Sequence, residues 1–292
     1  MSIDNQTQVK VHQKMTVTSL SLDKDELKQF CDILQQRANS AAEIEARLFL
    51  KNENQTEEVY EENKATLKSS FKLKVTIAGA DGDQHWGTIE EVFNSPNFPE
   101  SVKSLYIESD LTLRVNHNYH PHNSFKVFLD FSKPKIFDFS FMPNTETPNE
   151  SMIEVQGYDS TWVNGVFSEL KSFIDKRASK LSIVHNHSVY DVLVWILGFP
   201  LAFWVCSKFS VPIEVSFGSN NIYLSGALYL YSFVITLFLF RVLFHYLRWV
   251  CPLVEYQNKK NSMLVHRGSL LALTTGWVGS FIYDVAQWIL EV

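Results

Sequence analysis

The chain has 292 residues, of which 46% are apolar, and a formal charge of −6 with histidine neutral. That acidity argues against a general attraction to nucleic acid or anionic lipid, so either ligand would need a local basic patch. Three scattered cysteines, Cys31, Cys206 and Cys251, exclude a disulfide-rich scaffold and suit a reducing compartment.

The average hides a division. Residues 1–187 carry 20 Lys and Arg against 27 Asp and Glu, a net of −7, whereas residues 188–292 carry 6 against 5, a net of +1. The first eighteen residues, Met1 to Thr18, are polar, with no apolar core behind a basic start. They read as a flexible arm rather than a signal peptide, which leaves the following domain on the side where it is made. The sequons at Asn5, Asn54, Asn149 and Asn186 would matter only in a luminal domain.

Ser21 is placed to cap a helix running to about Ala46, with Leu22, Leu27, Phe30, Ile33 and Leu34 on its apolar side. A glutamate-rich polar connection, Lys51 to Lys64, follows. Strict alternation then takes over: Phe71, Leu73, Val75 and Ile77 point one way, Lys72, Lys74 and Thr76 the other, as in a half-buried strand. The same period recurs at Leu111, Leu113 and Val115, at Phe125 to Phe131 and at Phe137, Phe139 and Phe141, and more weakly around Tyr106 and Ile153. His120-Pro121-His122-Asn123 reads as a turn between two strands. Asp81-Gly82-Asp83 reads as another turn, since it lacks the later ligands of a calcium loop. The last helix of this domain begins at Asp159 or Ser160, carries Trp162, Val166, Phe167, Leu170, Phe173 and Ile174, and continues through Lys176–His187 as a stalk. Strands without βαβ spacing, framed by helices, predict an α+β domain over residues 19–187 with a mostly antiparallel sheet.

Residues 188–292 hold three apolar stretches, 189–207, 222–247 and 269–291. Ile222 to Phe240 is nineteen residues without a charge, close to the ~20 that cross a bilayer as a helix. The expectation is a C-terminal transmembrane helical region. Gly198 and Pro200 interrupt the first stretch, as a packing detail or as a hinge. Lys176, Arg177 and Lys180 precede that stretch, and Arg241, Arg248, Lys259, Lys260 and Arg267 follow the second. By the basic-flank rule both flanks lie in the cytoplasm and the loop Phe209–Asn220 faces outward. This predicts an integral membrane protein with a cytoplasmic N-terminal domain. In the third stretch Gly276, Ser280, Asp284, Gln287 and Glu291 recur at helical spacing. Such a helix can lie in the interface, pack its Gly276-x-x-x-Ser280 face on a neighbour, or line a water-filled path.

Chemistry is sparse. The chain has no phosphate-binding glycine loop, no H-E-x-x-H, no G-x-S-x-G and no Cys-x-x-Cys, so the expectation is a non-enzymatic protein without a cofactor. His117, His120 and His122 are close in sequence, but alternation points His117 inward and leaves the others on a turn, so no metal site is expected. Lys72, Lys74, Arg114 and Lys126, with Phe128, are placed by alternation on the outer sides of three strands. Together they would form a basic face able to hold phosphates and stack a base of a nucleotide or nucleic acid; the plainer reading is a solvated outer face. Arg241, His245 and Arg248 share one helix face at i, i+4 and i+7. They either snorkel to lipid phosphates or form an anion-attracting ring at a pore mouth.

In the order of its parts the chain resembles bacterial membrane-anchored anti-phage defence effectors, in which a cytosolic sensing domain is fused to a short block of transmembrane helices. The resemblance implies that ligand binding changes membrane integrity or ion flow. Two or three spans cannot enclose a path alone, so a pore requires a homo-oligomer. The expectation is therefore a membrane-embedded effector that senses a ligand or a regulatory protein partner. The alternative is a membrane-tethered scaffold that recruits a partner without conduction.

Overall fold

The computed structural model describes residues 9–51, 53, 55–137, 147–217, 222–258 and 263–290. The chain forms two compact units, one of residues 1–134, 140–190 and 252–257, the other of residues 135–139, 191–251 and 258–292.

The first unit is α+β. Its strands are β1 (Val11–Thr16), β2 (Leu20–Leu22), β3 (Lys74–Gly79), β4 (Gln84–Thr88), β5 (Val102–Glu108), β6 (Asn123–Asp130) and β7 (Met152–Gly157), and a late strand, β8 (Val254–Tyr256), returns to it. Its helices are α1 (Lys24–Leu48), α2 (Glu57–Ser69), α3 (Ile89–Phe93), α4 (Leu111–His117) and α5 (Ser160–Asp175). Six strands form an antiparallel sheet in the order β1-β7-β6-β5-β3-β4, while β2 and β8 form a parallel pair.

Alternation sets the two faces of the sheet. Val75 and Ile77, Leu105 and Ile107, Phe125, Val127 and Leu129, and Ile153 and Val155 are all buried on the inner side. Leu27, Phe30 and Leu34 of α1 and Trp162, Val166 and Leu170 of α5 close over them in the same core. Each large side chain so buried stabilises the fold by ~1.5–3 kcal/mol. Asp23 caps α1 in a reciprocal box with Glu26, and Asp159 caps α5 through the Thr161 and Trp162 amides. Arg37 joins the two helices by gripping Glu169 with Nε and Nη2. Gly157 admits no side chain, because a Cβ there would lie 2.0 Å from Asn123 Oδ1 on the neighbouring strand. Gly82, at φ +93, turns the chain between β3 and β4, which confirms Asp81-Gly82-Asp83 as a hairpin turn.

Several expectations are corrected. Residues 11–16 of the N-terminal arm are not free: they form edge strand β1, paired residue for residue with β7. Leu20–Leu22 is a strand, so α1 begins after Asp23 and not after Ser21. Part of the polar connection is α2. Leu111, Leu113 and Val115 alternate, yet they lie in α4, where only Leu113 is buried. The sheet has already ended at Glu108, and α4 stops at Asn118, whose φ of 48 is left-handed. His120 to Asn123 therefore links a helix to a strand. The stalk is not continuous helix: α5 ends at Asp175 and a 3₁₀ turn occupies Lys180–His185. Phe139 and Phe141 of the expected strand at Phe137 lie outside the described residues.

The second unit contains α6 (His187–Leu193, which begins in the first unit), a π-helical turn (Val194–Gly198), α7 (Phe199–Phe217), α8 (Ile222–Val250) and α9 (Met263–Leu290). Two helical stretches, Ser188–Val215 and Ile222–Val250, are long and apolar enough to cross a membrane. The first runs about ten residues past the expected end, so Phe209–Phe217 is helix and not outer loop. The π turn has a local cause. Pro200 has no N–H for the Ile196 carbonyl, and the widened turn lets the Phe199 N–H reach the Val194 carbonyl. Beside it, buried Gly198 packs against α8, where a Cβ would lie 3.3 Å from the Phe240 ring.

Candidate functional site

A cleft of about 900 Å³ in the first unit was not anticipated from the sequence. Its walls come from the end of β1 (Thr16, Thr18), the segment before β7 (Thr147, Asn149), the 3₁₀ turn (Ser182, His185) and Leu253 beside β8. Among the described residues the lining carries hydroxyls, amides and an imidazole but no Lys, Arg, Asp or Glu. Much of it is internally braced: Thr147 Oγ1 lies 2.7 Å from His185 Nδ1, and the Asn149 amide donates to the Val17 carbonyl at 2.7 Å. This chemistry suits a small polar ligand of low charge. The position matters as much as the chemistry. His185 and Asn186 immediately precede α6, and Leu253 closely follows α8, so one cleft touches the chain just before and just after the two apolar helices. No local motif could announce it, because its walls are distant in sequence.

The expected basic face divides. Lys74 does lie on the outer side of β3 and Lys126 and Phe128 on that of β6, as alternation required, with β5 between the two strands. Lys72 precedes β3 and lines a different groove with Asp32, Gln35 and Glu90. Arg114 is on α4, where it pairs with Glu108 at 3.0 Å and Asp110 at 3.5 Å. The register shows what alternation alone cannot: Lys74 and Glu108 come one residue beyond the paired Val75 and Ile107, Glu108 stands opposite Lys126, Lys126 opposite Glu154 and Glu154 opposite Lys14. Charge alternates across five strands. Lys14 closes on Glu154 at 2.7 Å and holds its carboxyl below the usual range. A second row beside it holds Thr16, Met152, Phe128, Tyr106, Thr76 and Trp86. Lys74 Nζ lies 5.0 Å from the Trp86 ring centre and Lys126 Nζ 5.5 Å from that of Tyr106. Tyr106 donates to Glu108 at 2.6 Å; burial, reinforced by that carboxylate, pushes its phenol up to about 12.

The histidines separate. His117 lies 3.2 Å from Ser70 Oγ, His120 is exposed, and His122 approaches Glu45 with both its backbone N–H and Nδ1. Glu45 is 1% exposed and also accepts from Tyr119 at 2.6 Å, which ties the end of α1 to the approach to β6. Among the described residues no group of three ligands could hold a metal ion.

In α8, Arg241, His245 and Arg248 do share one side, but they are buried, at 9%, 9% and 3% exposure. Arg241 Nε donates to His245 Nε2 at 3.3 Å, and the Arg248 guanidinium lies 4.8 Å from the Phe244 ring centre. In α9, Gly276 and Ser280 are exposed, while the Asp284 side chain and Glu291 lie outside what the structure describes. Arg267 donates to the Val250 carbonyl at 2.9 Å, and Tyr246 meets His266 at 2.9 Å, so α9 is fastened to the end of α8. Arg177, expected as a basic flank, is committed to Glu26 at 3.0 Å and to the Phe173 ring.

Compared with known proteins, the chain matches no family model, no curated protein and no solved structure.

Proposed function

We propose that this is a membrane-embedded sensor and effector. The N-terminal domain takes a small polar ligand into the cleft between Thr18, Thr147, His185 and Leu253, and the helices respond in the bilayer as a homo-oligomer that conducts ions or perturbs the membrane. One observation carries the reading: β8, which follows the second apolar helix, pairs in parallel with β2 of the N-terminal domain. The hairpin of apolar helices is thus tied to one domain at both ends. Displacing either wall of the cleft pulls on a segment that leads into the membrane.

The same pairing argues for two crossings. A chain that leaves the domain at residue 191 and rejoins it at 252 must come back on the side from which it left. At 1.5 Å per residue α8 is roughly 43 Å long, about 13 Å more than a ~30 Å hydrocarbon core. If Ile222 starts the crossing, Arg241 falls at the near interface and His245 and Arg248 beyond it, where charged groups are tolerated. Basic residues on this side favour the cytoplasm for the N-terminal domain.

The test is ion flux through liposomes holding the purified full-length protein, with the native mass of the solubilised oligomer measured on the same sample. Flux from a defined oligomer, changed by adding a small-molecule cell extract, supports the reading. A flexible Gly-Ser insertion between Cys251 and Pro252 should leave both units folded and abolish that response. A tight bilayer under all conditions would sink conduction and leave a tethered scaffold.

A further inference from the structure

We infer that the outer face of the six-stranded sheet is a homotypic interface: it docks on the same face of a second copy about a two-fold axis that runs along the strands between β5 and β6. The argument rests on the register of outer side chains. With β1-β7-β6 on one side of that axis and β5-β3-β4 on the other, the rotation sets β6 against the partner's β5, β7 against its β3 and β1 against its β4. Position along the strand is preserved, so the charged row meets the charged row. Lys126 then faces a second Glu108, and Glu154 faces a second Lys74, each twice by symmetry. The adjoining row brings Phe128 onto a second Tyr106, and Thr16 onto a second Trp86, which is 63% exposed in this structure.

Among the described residues Lys74 and Lys126 have no carboxylate within 4.0 Å, so both remain available to a partner. A polyanion fits less well. Lys14, Lys74 and Lys126 are balanced on this face by Glu108, Asp130 and Glu154, and residues 1–187 are acidic as a whole. An alternating row selects a partner with both signs at the same spacing, and a second copy has that pattern. Six strands at ~4.8 Å, with about six residues of ~3.4 Å each, give a projected footprint of roughly 600 Å² before side-chain relief. That is below the ~800 Å² per partner of a standard interface, so the contact should be weak in dilute solution and strengthened wherever copies are concentrated. It concerns the N-terminal domain and does not depend on conduction.

A charge-exchange experiment decides it, because Lys74 and Glu154 are on strands that are not neighbours within one chain. Full-length Lys74→Glu and Glu154→Lys chains, each with a distinct fluorescent label, are assayed in detergent for energy transfer alone and mixed, with thermal melting as the check on folding. Each variant alone would place two like-charged pairs in the interface and should associate at least tenfold more weakly than wild type. The mixture restores opposite charges at both sites and should recover wild-type association, which no intramolecular effect can mimic. Equal association of wild type, single variants and mixture would overturn the proposal, since contacts through the helices would then suffice. So would a mixture that stays as weak as its components. Loss of single-stranded oligonucleotide capture in Lys74→Glu and Lys126→Glu, with association unchanged, would replace the second copy by nucleic acid.

Discussion

Leu20 and Val254 face each other in the parallel β2–β8 pair, one near the start of the chain and the other after its second apolar helix. Both are buried, at 1% and 2% exposure. The Leu20 N–H donates to the Leu253 carbonyl at 2.9 Å and the Gln257 N–H to the Leu22 carbonyl at 2.7 Å, so the pairing is fastened at each end.

Val254→Ala should therefore weaken the N-terminal domain although the residue lies after both apolar helices. A buried aliphatic truncation of this kind costs about 1–3 kcal/mol. Hydrogen exchange should quicken at Leu22 and the start of α1 while β5 and β6 stay protected. Unchanged exchange at Leu22 would mean that β8 contributes nothing to the domain.

Gly157→Ala should be among the most damaging single changes in the sheet, at roughly 3 kcal/mol or more, because the new methyl group meets Asn123 Oδ1 head-on. Adding Asn123→Ala should recover part of the loss. Denaturant melts of the two single variants and the double variant measure the coupling, and strict additivity would contradict the close approach.

Glu45→Gln keeps the shape of the side chain but removes a charge that receives the Tyr119 hydroxyl, the His122 backbone N–H and the His122 ring. One amide oxygen cannot serve all three, and a cost of about 1–3 kcal/mol follows. The Tyr119 phenol is held well above its ordinary range, by burial first and Glu45 second. Its titration should move down in the variant, which ultraviolet absorbance of the phenolate reads directly.

The pH limits of stability follow from Glu154 and from two phenols. Lys14 depresses Glu154, so its contribution is present above the ordinary glutamate range and lost as pH falls through the folded value. Glu154→Gln should flatten the acid limb. The phenols of Tyr106 and Tyr256 are both raised to about 12, chiefly by burial, so the folded state holds these protons more tightly than the unfolded state. Stability then falls as pH rises from about 10 toward 12. Replacing both by Phe should shift that loss to higher pH; an unmoved alkaline midpoint would count against the burial of the two rings.

Gly198→Leu should separate α7 from α8, since even a methyl group would stand 3.3 Å from the Phe240 ring. Phe240→Ala should relieve it. The readout is a shift in the thermal melting of the detergent-solubilised protein, reversed in the double variant.

Local pattern was enough for the elements whose partners do not matter to their form. The alternation at Val75 and Ile77, at Phe125 to Leu129 and at Ile153 and Val155 marked strands because each has one fully buried face. Asp159 announced α5, and the apolar helices were legible from length alone. Tertiary structure decided the rest. The period at Leu111, Leu113 and Val115 did not make a strand, because the sheet had ended and no neighbouring strand remained to take its hydrogen bonds. Val11, Gln13 and Met15 alternate too weakly to predict β1, yet β7 offers an edge that accepts it. Alternation put Lys74 and Lys126 on one side, but only register could set Glu108 and Glu154 between them, since cross-strand spacing is not encoded within any one segment. Arg241, His245 and Arg248 were aligned by helical period and buried by folding. The cleft and the β2–β8 pair were invisible for the same reason: the residues that build them meet only after the chain has passed through both apolar helices and returned.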